Sequence, residues 1–305
     1  MVAVFAWVPG DDSVRRLTED GYRYPCIHPD GTHVVCGGGE GPSRVWRVPT
    51  DGSLTTAPLT PEGMFADVPT YTFDGTRMVF SGSEQGTDSL FTGSTSVFAM
   101  RPDGGGLTRL TEGPHRDIRP SLSPDGTTVA FFSDRPVDSE PTMLRLWLAD
   151  AAGRRDPWLL VDEPVGRPVW SRDGTTIYGF NVLPDGCRAA AITVPDGTLT
   201  LLPNDPGHTH GLFHARDRDV LIAHSTMGRR DMMNLWELPL DGSQPTPIVP
   251  PGIDGEAYAH GTLSDDGILT FDHTPGLRDA SETLSPHLTP PTACWQGFAS
   301  GRAAA

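Results

Sequence analysis

The side chains best suited to chemistry are two imidazoles set one residue apart, in His208-Thr209-His210. In an extended strand alternate residues share a face, so both rings point the same way. A third histidine, His260, opens a later segment of the same pattern. Three neutral imidazoles meeting at one point suit zinc, manganese or iron, with Asp205 as a fourth ligand. The competing arrangement is that the rings only hydrogen-bond water. Each of His208, His210 and His260 is also a candidate general base, because imidazole titrates near neutral pH. Arg119 and Arg167 offer guanidinium forks that grip a carboxylate or phosphate at two points. Internal pairing of Arg119 with Asp117 or Asp134 is the alternative.

A repeat can gather residues that lie this far apart in the chain. Residues 119–133 read RPSLSPDGTTVAFFS: an alternating stretch, a Pro-Asp-Gly turn, then a β-branched and aromatic run. That is a strand, a tight turn and a second strand. Related hairpins centre on positions 30, 74, 125, 173, 216 and 266, at intervals of 44, 51, 48, 43 and 50 residues. The fifth turn is degenerate. A repeat of roughly 40–50 residues made of short strands indicates a propeller blade. Five of the hairpins are followed by two further strands. The sixth, at 260–273, has none, and residues 2–8 and 13–18 supply the missing pair. The expectation is an all-β, six-bladed propeller over residues 1–275 with four strands per blade. N-terminal strands within 2–18 complete the blade begun at 260–273. A Pro- and Ala-rich tail, 276–305, follows.

In such a ring the first strand of each blade lines a central channel. Counting back from each turn places Tyr24, Val68, Arg119, Arg167, His210 and His260 in one ring. Two residues earlier, on the same strand face, come Tyr22, Ala66, Asp117, Val165, His208 and Tyr258. His224 and His273 close their second strands, His115 precedes Asp117, and Arg230 lies in a neighbouring loop. Six of the ten histidines (115, 208, 210, 224, 260 and 273) thereby map to one mouth. The expected substrate-binding set is Arg119, Arg167, Asp117, Tyr24, His115, His224, Arg230 and His273.

Bulk properties exclude several classes. The formal net charge of −16 opposes binding to a nucleic-acid backbone. Every basic residue is arginine, so Schiff-base chemistry and a phosphate-loop lysine are excluded. Turn counting pairs Cys26 with Val35, so Cys36 faces the opposite side and no disulfide joins the two. No stretch approaches the ~20 apolar residues of a membrane span. Residues 2–8 alternate like a strand and lack the basic flank of a secretion signal. No membrane partner and a cytoplasmic location are expected.

The Pro…Ser-Pro-Asp-Gly hairpins resemble those of the TolB-type β-propellers, which are WD-repeat-like, over nearly the whole chain. The resemblance implies the fold, and propellers of this kind serve as scaffolds, binding modules and enzymes. Related propellers precede hydrolase domains in prolyl peptidases, but this sequence has no Gly-x-Ser-x-Gly elbow. Residues 205–210, DPGHTH, resemble the metal site of oligogalacturonate lyases, which carry Gln, His and His at this spacing. The resemblance implies metal-ligand roles for His208 and His210, with Asp205 where the Gln would stand.

Two functions are therefore expected. The first is an enzyme of lyase, isomerase or cyclase type acting on a small anion at the channel mouth. A histidine is its base, an arginine pair its clamp, and a divalent metal an optional aid. The second is a non-catalytic scaffold that holds a protein partner or ligand.

Overall fold

The turn chemistry read from the sequence is what shapes each hairpin. At residues 123–127, Asp125 Oδ1 accepts from the Thr127 N–H at 3.0 Å and from the Ser123 hydroxyl at 2.6 Å. Gly126 takes φ 71°, which a side chain would resist. Asp30, Asp74 and Asp173 bond the residue two places on in the same way.

The computed structural model describes residues 2–84, 89–90, 93–137, 144–183, 186–205, 208–215, 218–226, 234–252 and 258–273, with the Tyr258 side chain left out. Among them are 24 strands and no helices, in six four-stranded antiparallel sheets. The innermost strands are β3 (Tyr22–Ile27), β7 (Phe65–Tyr71), β11 (Asp117–Leu122), β15 (Val165–Trp170), β19 (Thr209–His214) and β23 (Tyr258–Leu263). The closing blade runs β2 (Arg15–Arg16), β1 (Ala3–Trp7), β24 (Leu269–His273), β23. The expected shared blade is therefore observed, and ring closure removes exposed sheet edges. The tail 276–305 and the fifth hairpin's turn, 216–217, lie outside the described residues.

The core is a set of interfaces between neighbouring blades. Val4, Ala6 and Leu17 of the closing blade pack on Ile27, Val34 and Cys36 of the first. Phe131, wholly buried, packs with Val79 and Val97 across the next seam but one. Cys26 lies opposite Val35, as expected, and Cys26 and Cys36 are buried free thiols in different clusters.

All six inner strands carry a one-residue bulge. In five of them the bulged residue has left-handed backbone: Tyr24 (φ 54°), Val68 (52°), Arg119 (54°), Arg167 (51°) and His260 (53°). Each such non-glycine residue costs on the order of 1–3 kcal/mol. The device turns that residue's side chain toward the axis, and an inserted residue also shifts the alternation on either side. In the fifth blade positive φ falls on His208 instead, at 61°.

Candidate functional site

The bulges surround a cavity of about 90 Å³ on the axis. A water needs about 10–15 Å³ by this measure, so the cavity has room for a small molecule. Tyr24, Val68, Arg119, Arg167 and His260 line it, one from each of five blades, and His224 adds a ring from β20 (Val220–Ser225).

One hydrogen-bonded chain organises the wall. Arg167 Nη2 stands 2.7 Å from His260 Nε2, and Arg167 Nη1 lies 3.4 Å from His224 Nδ1. Guanidinium only donates, so Nε2 of His260 must accept and its proton must sit on Nδ1. That Nδ1–H donates to Asp272, 2.8 Å from Oδ2 and 3.0 Å from Oδ1. Asp272 Oδ2 also accepts from the Tyr24 N–H at 2.9 Å. This bond caps the left-handed residue of the first blade from the preceding blade. Ser81 does the same for the Arg119 N–H at 2.8 Å. In the second blade the equivalent neighbour is Gly37, which has no side chain. There Asp67 folds over the glycine and caps Val68 N–H itself at 2.9 Å, while pairing with Arg23 at 2.7 Å.

The electrostatics of the cavity are cationic. Arg119 and Arg167 sit 5.5 Å and 5.7 Å from the centre of the Tyr24 ring. Neither pairs with a carboxylate among the described residues, and Arg119 Nη1 is buried without a hydrogen-bond partner. Burial, with the Arg119 charge second, pulls the Arg167 pKa well down. Burial, then the neighbouring arginines, holds His224 and His260 neutral well below the usual histidine range. Burial pushes Asp272 up to about 7, against the opposing pull of the Tyr24 N–H, Arg167 and Arg23.

Several expected site residues stand elsewhere. Asp117 is buried off the cavity, bonded to the Ser133 hydroxyl and to Arg135, each at 2.6 Å. Asp134 is paired with Arg116 at 2.8 Å. Neither carboxylate therefore neutralises Arg119. Ala66 and Val165 belong to inter-blade core clusters, because the bulge breaks the alternation that would have put them on the channel. His115 packs beside Gly113. His273 faces Phe5, 5.5 Å between rings, on the opposite side of β24 from Asp272. Arg230 lies outside the described residues.

The histidine–aspartate set expected to hold a metal is not assembled. Asp205 accepts from the Ala189 N–H and from the Thr209 hydroxyl. This is the place taken by Thr18, Thr60 and Thr111, whose hydroxyls accept from Val4, Val45 and Val97. His208 lies against Gly186. His210 stacks 6.3 Å from His224 and is lowered to about 4, by burial first and Arg167 second. Both ring nitrogens of His260 are committed, and the guanidinium on Nε2 would repel a dication. Asp272 was the residue missed by sequence reading. It sits next to His273, and only register shows which of the two faces inward.

No family model matches the chain. The structure superposes on TolB of Agrobacterium tumefaciens with a TM-score of 0.70 at 14% identity, covering 89% of this chain and 97% of that one. The fold is that of a TolB-type propeller. A more distant likeness is to an oligogalacturonate lyase solved in complex with manganese, TM-score 0.58 at 14% identity, covering 86% and 80% of the two chains. In sequence, the uncharacterized peptidase YuxL of Bacillus subtilis is 34% identical over 154 residues. The match takes in 49% of this chain and 22% of that relative's length.

Proposed function

We propose that the channel cavity binds a small carboxylate-bearing molecule between Arg119 and Arg167. The observation that carries this is the buried, unpartnered Nη1 of Arg119 beside a second arginine whose hydrogen-bond partners among the described residues are neutral imidazoles. Burying a cation without a counter-charge is costly, and an anionic ligand removes that cost. The small cavity favours acids of a few carbons over a polymer.

The reaction class we assign is proton removal next to the carboxylate, as in lyases and isomerases. When a carboxylate takes Arg167, His260 Nε2 loses its donor and becomes a free acceptor. Asp272 keeps Nδ1 protonated and stabilises the imidazolium that forms. Metal assistance at His208 and His210 is not part of this reading, since Asp205 and His260 are committed elsewhere.

The commitment of both His260 ring nitrogens also favours a second reading, a non-catalytic propeller that binds its acid or a protein partner without turnover. Thermal-shift and calorimetric titration with two- to four-carbon mono- and dicarboxylates tests binding. The expected result is stabilisation that Arg119→Met abolishes. Absence of any shift in the unmodified protein at millimolar acid would overturn the proposal. Binding without exchange of the substrate α-proton into deuterated water would select the second reading.

A further inference from the structure

On the opposite mouth, the first hairpin departs from its siblings in two places, and both departures converge on its turn aspartate. In the second, third and fourth blades a hydroxyl reaches the turn carboxylate: Thr72 to Asp74 at 2.6 Å, Ser123 to Asp125 at 2.6 Å, Ser171 to Asp173 at 2.7 Å. In the first blade His28 holds that position, with Nδ1 2.7 Å from Asp30 Oδ1. Five residues on, where the siblings have Arg77, Thr128 and Thr176, the chain has His33. Its ring stacks on His28, centroids 4.5 Å apart. Thr32 Oγ1 lies 2.8 Å from both Asp30 Oδ1 and His33 Nδ1.

We infer that His28, Asp30 and His33 form a site for a divalent transition metal such as zinc. One ligand atom from each lies within 4.8 Å of the others, and these three are the one such group among the described residues. Two imidazole nitrogens and a carboxylate oxygen are a borderline donor set, suited to zinc, cobalt or nickel and leaving a position for water. A second observation supports a missing partner: His33 Nε2 and Tyr71 Oη are both buried with no hydrogen bond, and Tyr71 meets both histidine rings edge-on. Asp30 is half open to solvent, which gives an ion its entry path. His28 Nε2 also reaches the Gly75 carbonyl at 3.3 Å, so a bound ion ties the first hairpin to the second. This site is independent of the channel reading.

The test is titration of the untagged, metal-stripped full chain with Co²⁺, followed by visible absorption, and with Zn²⁺ by calorimetry and melting temperature. One equivalent should bind, with ligand-field bands and a rise in melting temperature that follows mass action. His28→Ser and His33→Thr install the residues that sibling hairpins use at these positions, so both should fold. Each should weaken binding by about ten-fold or more, and Asp30→Asn, which can still cap the turn, should do the same. No ligand-field band at one equivalent overturns the inference. So does binding that survives both histidine substitutions, or that His208→Ala/His210→Ala removes instead.

Discussion

Arg167 donates to Nε2 of His260 across 2.7 Å while Asp272 holds Nδ1 at 2.8 Å. The histidine is thus fixed as one tautomer and blocked as a base by the same residue that would bind an acid. On the proposed reading, ligand binding and release of the base would be a single event. The relationship joins the fourth blade to the closing blade, so it depends on the circular arrangement of the sheets.

Asp272 makes that relay pH-sensitive. Its folded pKa, pushed up to about 7 mainly by burial, lies above the ordinary aspartate value of 3.8. Between those limits the folded chain binds a proton that the unfolded chain has released. This contribution is therefore full below about 4 and is lost as pH rises toward 7, at up to about 1.4 kcal/mol per pH unit. Urea denaturation from pH 4 to 8 should show Asp272→Asn losing less stability than the parent as pH rises. A constant difference between the two across that range would mean that Asp272 titrates normally.

Gly37 tests the way blades are stitched at the bulges. A Cβ there would lie 1.8 Å from Asp67 Oδ1. Asp67 would have to leave both Arg23 and the Val68 N–H, stranding a partly buried donor. Gly37→Ala should cost about 2–6 kcal/mol, the sum of an overpacking term and an unmade hydrogen bond. Chemical denaturation measures it. A cost below about 0.5 kcal/mol, the scale of a surface change, would show that the carboxylate moves aside freely.

The repeat was legible because turn chemistry is local. Asp125 and Gly126 do in the structure what their types require, and the blade count follows from their spacing. The inner ring was legible for the residues just before Pro120 and Pro168, since counting back from a turn tolerates a bulge if every blade has one. What failed was the step beyond the bulge. Asp117 sits two residues before Arg119, which strict alternation would place on one face, yet it is buried against Arg135. A left-handed residue cannot be read from an arginine or tyrosine, because those types seldom adopt it. The metal set failed for a related reason: spacing brought His208 and His210 together in text, but nothing local showed that Asp205 caps a strand.

Asp205→Thr separates that capping role from ligation. Thr18, Thr60 and Thr111 already perform the role in three other blades, each accepting a backbone N–H at 2.9–3.1 Å. Threonine at 205 should therefore keep the Ala189 N–H bonded and leave stability within about 1 kcal/mol of the parent. Alanine, by contrast, leaves that buried N–H unpaired and should cost about 1–3 kcal/mol. Metal affinity should be the same in all three proteins. If the threonine variant is as unstable as the alanine one, the carboxylate's charge is needed there, and the comparison with the other blades is wrong. If either variant lowers metal binding, Asp205 is a ligand after all.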